Sequence, residues 1–320
     1  MPAKIFFFPE TRRLIRANAD MFDFLWTAAA GLWSMRWQVD GFVRAMDAYD
    51  DATVKARFVS GSRIHGANIK GVCIDASWNA NQEQLAAIAL TLGISNFEGW
   101  LSDVVAQADE PGTASPSGLV GRRMKLASDI MKPKSFKSAV GKLLGTGSEL
   151  GRTCFGPPLA RRWKRELEKL DALLRVLRHF KDLRNKIVHN GGVADQQLVD
   201  SFNDISSLTK DDLGTPEFPS LNPVTLGSRV SLSLRGVVAM TDVLLRIAAA
   251  VDATLSESQS VDRIVFERWQ AAHGKRVMLS NDQKKRNARI EKLVVAAGCS
   301  PVDGAAFLAE WLRGRDLVVF

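Results

Sequence analysis

Among the side chains of this 320-residue chain that could do chemistry, two arginine–histidine pairs stand out. One lies in Arg184-Asn185-Lys186-Ile187-Val188-His189, the other in Arg268-Trp269-Gln270-Ala271-Ala272-His273. Arginine presents a planar fork of donors that fits a phosphate and keeps its charge at any physiological pH. Histidine titrates near neutrality and serves as a base or an acid. Such a pair could hold a phosphodiester and move a proton without a metal. The first pair is preferred. Asn185 follows its arginine and could orient it or a phosphate, Asn190-Gly191-Gly192 is a helix stop just beyond, and the surrounding sequence is basic. The second pair lacks the asparagine and follows acidic Glu267.

Other signatures of chemistry are missing. His65 and His179 stand apart, with no HExxH and no metal-ligand spacing, and His179 reads as a core or surface residue. Residues 141–151 (GKLLGTGSELG) are glycine-rich, but match neither the phosphate-loop nor the dinucleotide pattern and read as a linker. Cys73, Cys154 and Cys299 are odd in number and widely spaced, which implies a reducing compartment rather than a disulfide framework.

The formal net charge is +8, and it is concentrated. Residues 121–186 hold 18 Lys/Arg against 6 Asp/Glu, so the rest of the chain is slightly acidic. A basic segment of that kind favours nucleic acid, although an anionic membrane, an acidic partner or a solvated helix face would also account for it. Residues 5–8 are too short an apolar run for a secretory signal. The apolar stretch 237–253 carries Asp242, Arg246 and Asp252, which argues against a membrane span. A cytoplasmic protein is expected.

The elements that must position these residues have the helical period almost throughout. Residues 9–30 and 31–49 read as successive helices, with Trp26, Trp33 and Trp37 expected to fill core. Residues 53–75, interrupted by Gly61, Gly66 and Gly71, predict irregular chain or a short hairpin. From residue 81, Leu90, Ile94, Phe97, Leu101 and Val104 form a sustained inward stripe. Ser95 and Glu98 also match a capping box, which would split this helix near Gly93. Turn-rich residues 109–118 end it, basic helices follow at 119–131 and 135–144, and 145–158 reads as loop. Trp163, Leu167, Leu170, Leu174 and Leu177 form the next stripe, extended by Phe180. After a loop with Pro216, Pro219 and Pro223, a helix at 228–255 turns Leu232, Val237, Met240, Leu244, Ile247 and Val251 inward. The last 60 residues predict helices at 261–273, 281–297 and 301–313, with Ser300-Pro301 and Asp303 as a start signal, and a short strand at 317–320. The fold class is all-α, organised as an N-terminal helical region (1–78), a helical bundle (79–258) and a small C-terminal helical unit (259–320).

The segment from Arg184 to His189 resembles the motif of the HEPN family, in which an arginine, often followed by a polar residue, precedes a histidine by four to six residues. That resemblance implies a helical bundle, laid over about residues 81–255, with the motif late in one long helix and another long helix after it. It implies a metal-independent endoribonuclease with no cofactor, acting as a homodimer in which two motifs face one cleft. Arg184 and His189 would be catalytic, with Asn185 as helper, and Lys181, Lys186 and Arg178 on the same helix would contact RNA. The ribose 2′-OH would attack its own phosphodiester, leaving 2′,3′-cyclic phosphate and 5′-OH ends and sparing DNA. RNA, tRNA included, would be the substrate, in a toxin or phage-defence (abortive infection) effector that an antitoxin or activator protein could control. On an ideal helix five residues rotate by roughly 140° net, so Arg184 and His189 diverge. They meet only if the helix is distorted, if Arg184 reaches around, or if a second subunit completes the site. The rival reading is a helical module that binds nucleic acid or a partner protein without cutting. A weaker rival is a transcription regulator reading bases with residues 281–292.

Overall fold

The computed structural model describes residues 5–46, 50–109, 116–189, 191–274 and 276–320, and they form a predominantly helical protein. The N-terminal Phe6, Phe7 and Phe8 are buried before Pro9 opens α1 (Pro9–Arg44), a single helix where two were expected. Gly31 lies inside it with nothing beyond its own turn of helix, among the described residues, within 4 Å of where its Cβ would be, so a residue that weakens a helix only mildly does not interrupt this one. The expected end at Tyr49 lies outside the described residues. α2 (Asp51–Phe58) and a π-helical turn at Gly71–Asp75 occupy the loosened stretch, and no hairpin forms there among the described residues.

α3 (Trp78–Ala108) runs unbroken through Gly93, its N-terminus capped by the Ser77 side chain. Its stripe, Leu90 to Val104, is buried as predicted. α4 (Pro116–Ile130) and α5 (Pro133–Leu144) are the two basic helices, separated by a proline turn. The next stretch, read as loop, contains a π-helical turn at Gly151–Phe155 and α6 (Gly156–Arg162). Its glycines have a packing reason: a Cβ on Gly151 would lie 2.7 Å from the Ser256 carbonyl oxygen and 2.9 Å from Glu257 Cα. α7 (Lys164–Glu168) and α8 (Leu170–His189) follow, and Leu170, Leu174, Leu177 and Phe180 of the predicted stripe are buried.

α9 (Gln196–Ile205) and α10 (Lys210–Leu213) precede the proline-containing loop. α11 (Leu234–Leu255) then passes through the middle of the molecule, packed against both α3 and α8, with all six of the predicted inward residues buried. It starts later than residue 228, at the Ser233 cap. The C-terminal segment holds α12 (Val261–His273), α13 (Gln283–Ala296) and α14 (Ala305–Arg313), and α14 begins after Gly304 rather than at Pro301. β1 (Val277–Met278) pairs in parallel with β2 (Val318–Val319). The main core draws residues from Phe7 to Val318, and a satellite core gathers Val39, Val54, Ile69 and Cys73. Among the described residues, no helix is long and apolar enough to cross a membrane.

The three tryptophans of α1 are not core. Trp26, Trp33 and Trp37 are 47%, 43% and 62% exposed. A helix packed on one side against α3 buries only one stripe, and here Leu14, Met21 and Leu25 fill it.

Candidate functional site

All six residues picked out around the first motif lie in the last twelve residues of α8. The apolar stripe explains why this segment is helical, and the glycines explain where it stops. Gly191 and Gly192 take φ of +61° and +75°, and the Gly192 N–H bonds the Lys186 carbonyl at 2.9 Å. Asn190 lies outside the described residues. Asp195 then caps α9 by accepting the Leu198 N–H at 3.1 Å.

Arg184 points from α8 towards α3. Its Nη2 donates to Glu98 Oε2 at 3.0 Å, its Nη1 donates to Asn185 Oδ1 at 2.9 Å, and its side chain is only 17% exposed. Lys181 pairs with the other oxygen of the same carboxylate, at 2.7 Å. Glu98 therefore carries one cation on each oxygen and ties the two helices together. Two positive charges share one negative charge, so the cluster keeps a net charge of +1.

The other residues fall into different surroundings. Arg178 is half exposed and 3.9 Å from Asp182, whose carboxyl is raised above its ordinary range by burial. Lys186 is buried and its ammonium bonds Asp195, whose carboxyl is lowered mainly by that bond. All three cations expected to contact RNA thus have a carboxylate partner inside the protein, and of them Lys186 is the most covered. His189, the last residue of α8, is exposed, beside Val188, which is 49% exposed. The helix is regular from Leu170 to His189, and Arg184 is committed to Glu98 and Asn185, so Arg184 and His189 of one chain diverge.

A cleft of about 360 Å³ opens beside this cluster, between the α4–α5 turn and α8. Lys132, Lys134, Arg178 and Lys181 line it together with Asp182, and Lys132 is also paired with Asp129 at 3.3 Å. Lys181 belongs to both the cleft and the Glu98 cluster. Lys132, Lys134 and Glu98 were not identified from the sequence. The lysines had only the general basicity of residues 121–186 as a signal. Glu98 was read as half of a capping box, and only the packing of α3 on α8 reveals its partners.

The second arginine–histidine pair is occupied elsewhere. Arg268 donates to the Phe7 carbonyl at 2.7 Å and lies over the Phe7 ring, fastening the N-terminal segment to α12. His273 Nε2 contacts the Leu293 carbonyl oxygen at 3.1 Å, and its ring meets Trp269 edge-on. His179 is a core residue. It is 1% exposed, within 3.1 Å of Ser201 Oγ through Nδ1, and its pKa is pushed down to about 4 by burial. Among the described residues, no group of three or more His, Cys, Asp or Glu side chains is placed to hold a metal ion. Comparison with protein families, curated proteins and solved structures finds no match to this chain.

Proposed function

We propose that this chain is a metal-independent endoribonuclease of the HEPN type, built on a HEPN-like bundle and acting as a homodimer in a toxin or antiviral role. The observation that carries the reading is the cluster on α8: Arg184, oriented by Glu98 and Asn185, joined through Lys181 to a cleft lined by four cations. A strand whose phosphates follow that cleft would bring one of them to the arginine. Because Arg184 and His189 of one chain point apart, the complete site takes the arginine of one subunit and the histidine of its partner, and the exposed α8 ends form the contact between copies.

The chemistry is then in-line transesterification. One histidine takes the proton of the ribose 2′-OH as its oxygen bonds to phosphorus. Arg184 holds the charge that develops on the non-bridging oxygens. The P–O5′ bond breaks, and an imidazolium returns a proton to the leaving oxygen. The products are a 2′,3′-cyclic phosphate and a 5′-OH.

The test is cleavage of total RNA and of tRNA in EDTA by the wild type, Arg184→Ala, His189→Ala and His273→Ala. Cyclic-phosphate ends should disappear in the first two variants and persist in the third. Mixing the two inactive variants should restore about a quarter of the activity, because half the dimers are mixed and each mixed dimer holds one intact composite site. Cleavage that depends on added metal would overturn the mechanism. A second reading draws on the Glu98 carboxylate, which offsets the Arg184 charge inside the protein: the bundle binds RNA without cutting it. RNA binding by a wild type that makes no cyclic-phosphate ends would establish that reading instead.

A further inference from the structure

Two of the three tryptophans that α1 leaves outside the core gather at one place, while Trp26 stacks on Phe22. Trp33 meets Trp37 nearly at right angles, with ring centroids 5.7 Å apart, and meets Trp78 of α3 at 4.9 Å and 61°. Together with Ile74 they wall a pocket of about 320 Å³, just large enough for one small flat ligand. Leaving such rings in water forgoes a large burial free energy, and this invites an occupant.

The rim of the pocket says which occupant. Arg36 is fixed there by two neutral acceptors, the carbonyls of Val72 and Ala76, at 2.7 and 2.8 Å. Neutral acceptors hold its position without cancelling its charge. Arg44 is paired with Asp40 at 3.0 Å, which leaves one net positive charge at the pocket. An aromatic box with an acidic rim would select a cation such as a methylated ammonium, whereas this cationic rim repels one. Flat faces beside a fixed guanidinium suit a planar ring carrying an anion, which is the chemistry of a nucleotide. The concentrated basic charge elsewhere on the molecule favours a strand over a free nucleotide.

The geometry points to a base-stacking subsite for single-stranded RNA at Trp33, Trp37 and Trp78, with the phosphate of the bound nucleotide at Arg36. It is separated from the carboxylate that holds Arg184. Trp78 and Glu98 are both on α3, and their separation of 20 residues amounts to about 30 Å along the helix. The subsite would grip the strand at a distance from Arg184. The inference relies on the RNA reading above for its ligand, but not on cleavage.

The experiment is fluorescence anisotropy with a labelled, 2′-O-methylated oligoribonucleotide about a dozen nucleotides long, which 2′-OH attack cannot cut. Trp37→Ala, at a largely exposed position that folding does not need, should weaken binding by about 5- to 150-fold, the effect of losing one stacked base, while Trp37→Phe should retain most of the affinity. Arg36→Gln should also weaken binding. Unchanged affinity in Trp37→Ala and Trp33→Ala would overturn the inference. So would a mononucleotide that competes as strongly as the strand, tighter binding of a trimethyl-lysine peptide than of RNA, or a Trp37→Ala variant that loses dimerisation while keeping RNA affinity. A protein that never cuts RNA but loses the strand on Trp37→Ala would leave this site standing while the nuclease reading falls.

Discussion

Replacing Glu98 with glutamine keeps the size of the side chain and removes its charge. Its three effects can be worked out separately. The side chains of Lys181, Glu98 and Arg184 are 29%, 31% and 17% exposed, so the two ion pairs are partly shielded from solvent but not deeply buried. Such pairs contribute about 1 kcal/mol each, and the guanidinium left behind is more costly than usual because Arg184 Nε is already buried with no hydrogen-bond partner among the described residues. Stability should fall by about 2 kcal/mol, read as a shift of the urea midpoint at constant slope. RNA affinity should move the other way, because a negative charge has left a basic surface, and the salt dependence should steepen by about 0.7 in log–log slope. Cleavage should drop by about 100-fold, because an arginine displaced by an ångström no longer meets the phosphorane. The combination of tighter binding and slower cutting separates a carboxylate that aims Arg184 from one that merely neutralises it. Cleavage at the wild-type rate in a destabilised Glu98→Gln would refute the mechanism built on Arg184.

Two further outcomes follow from the core. His179, with its pKa lowered to about 4, contributes stability that is present above its unfolded value near 6.5 and is lost as pH falls towards 4, an effect of ~3 kcal/mol. Asp252 accepts the Phe7 and Phe8 N–H groups and the Thr11 hydroxyl, yet burial raises it to about 6, so its contribution runs in the opposite sense and is lost as pH rises from about 4 to 6. In the wild type Asp252 therefore offsets the effect of His179, and Asp182, also raised by burial, acts in the same sense as Asp252. In Asp252→Asn, stability measured by urea unfolding should therefore rise more from pH 4 to 6.5 than it does in the wild type, and a profile no steeper than the wild type's would show that Asp252 does not offset His179. Gly151→Ala should lower stability by about 1–3 kcal/mol through collision with the backbone at Ser256 and Glu257, and leave RNA affinity unchanged. A loss of RNA affinity without a loss of stability would restore the phosphate-loop interpretation of that stretch.

The helices that were legible in the sequence are those whose burial is set by one long-lived stripe. α3, α8 and α11 each repeat leucine-class residues at three- and four-residue spacing, and the same residues are buried in the structure. α1 misled for the converse reason: it packs on one face, so its tryptophans follow the helical period without reaching the core. The capping box at Ser95 and Glu98 failed because a local match says nothing of a partner 86 residues away, and Glu98 finds Lys181 and Arg184 only when α3 docks on α8. The arginine–histidine spacing was legible twice, and only tertiary contacts separate the pair at residues 184 and 189 from the pair that anchors Phe7 and Leu293.

The position of Arg184 carries its own argument. It follows Leu177 and Phe180 at helical spacing, so the seam between α8 and α3 turns from apolar to ionic where the stripe reaches it. An apolar side chain at that position, facing another on α3, would remove the desolvation cost of the charges, and replacing such a buried pair is often neutral or stabilising. Packing alone therefore does not call for an arginine there. Nor does a need for solubility, because the group is mostly covered. What the cluster provides, and an apolar seam would not, is a guanidinium held in a fixed orientation by Glu98 and Asn185 and joined through Lys181 to a cationic cleft. That arrangement suits an anion that arrives from outside and must be met at one place.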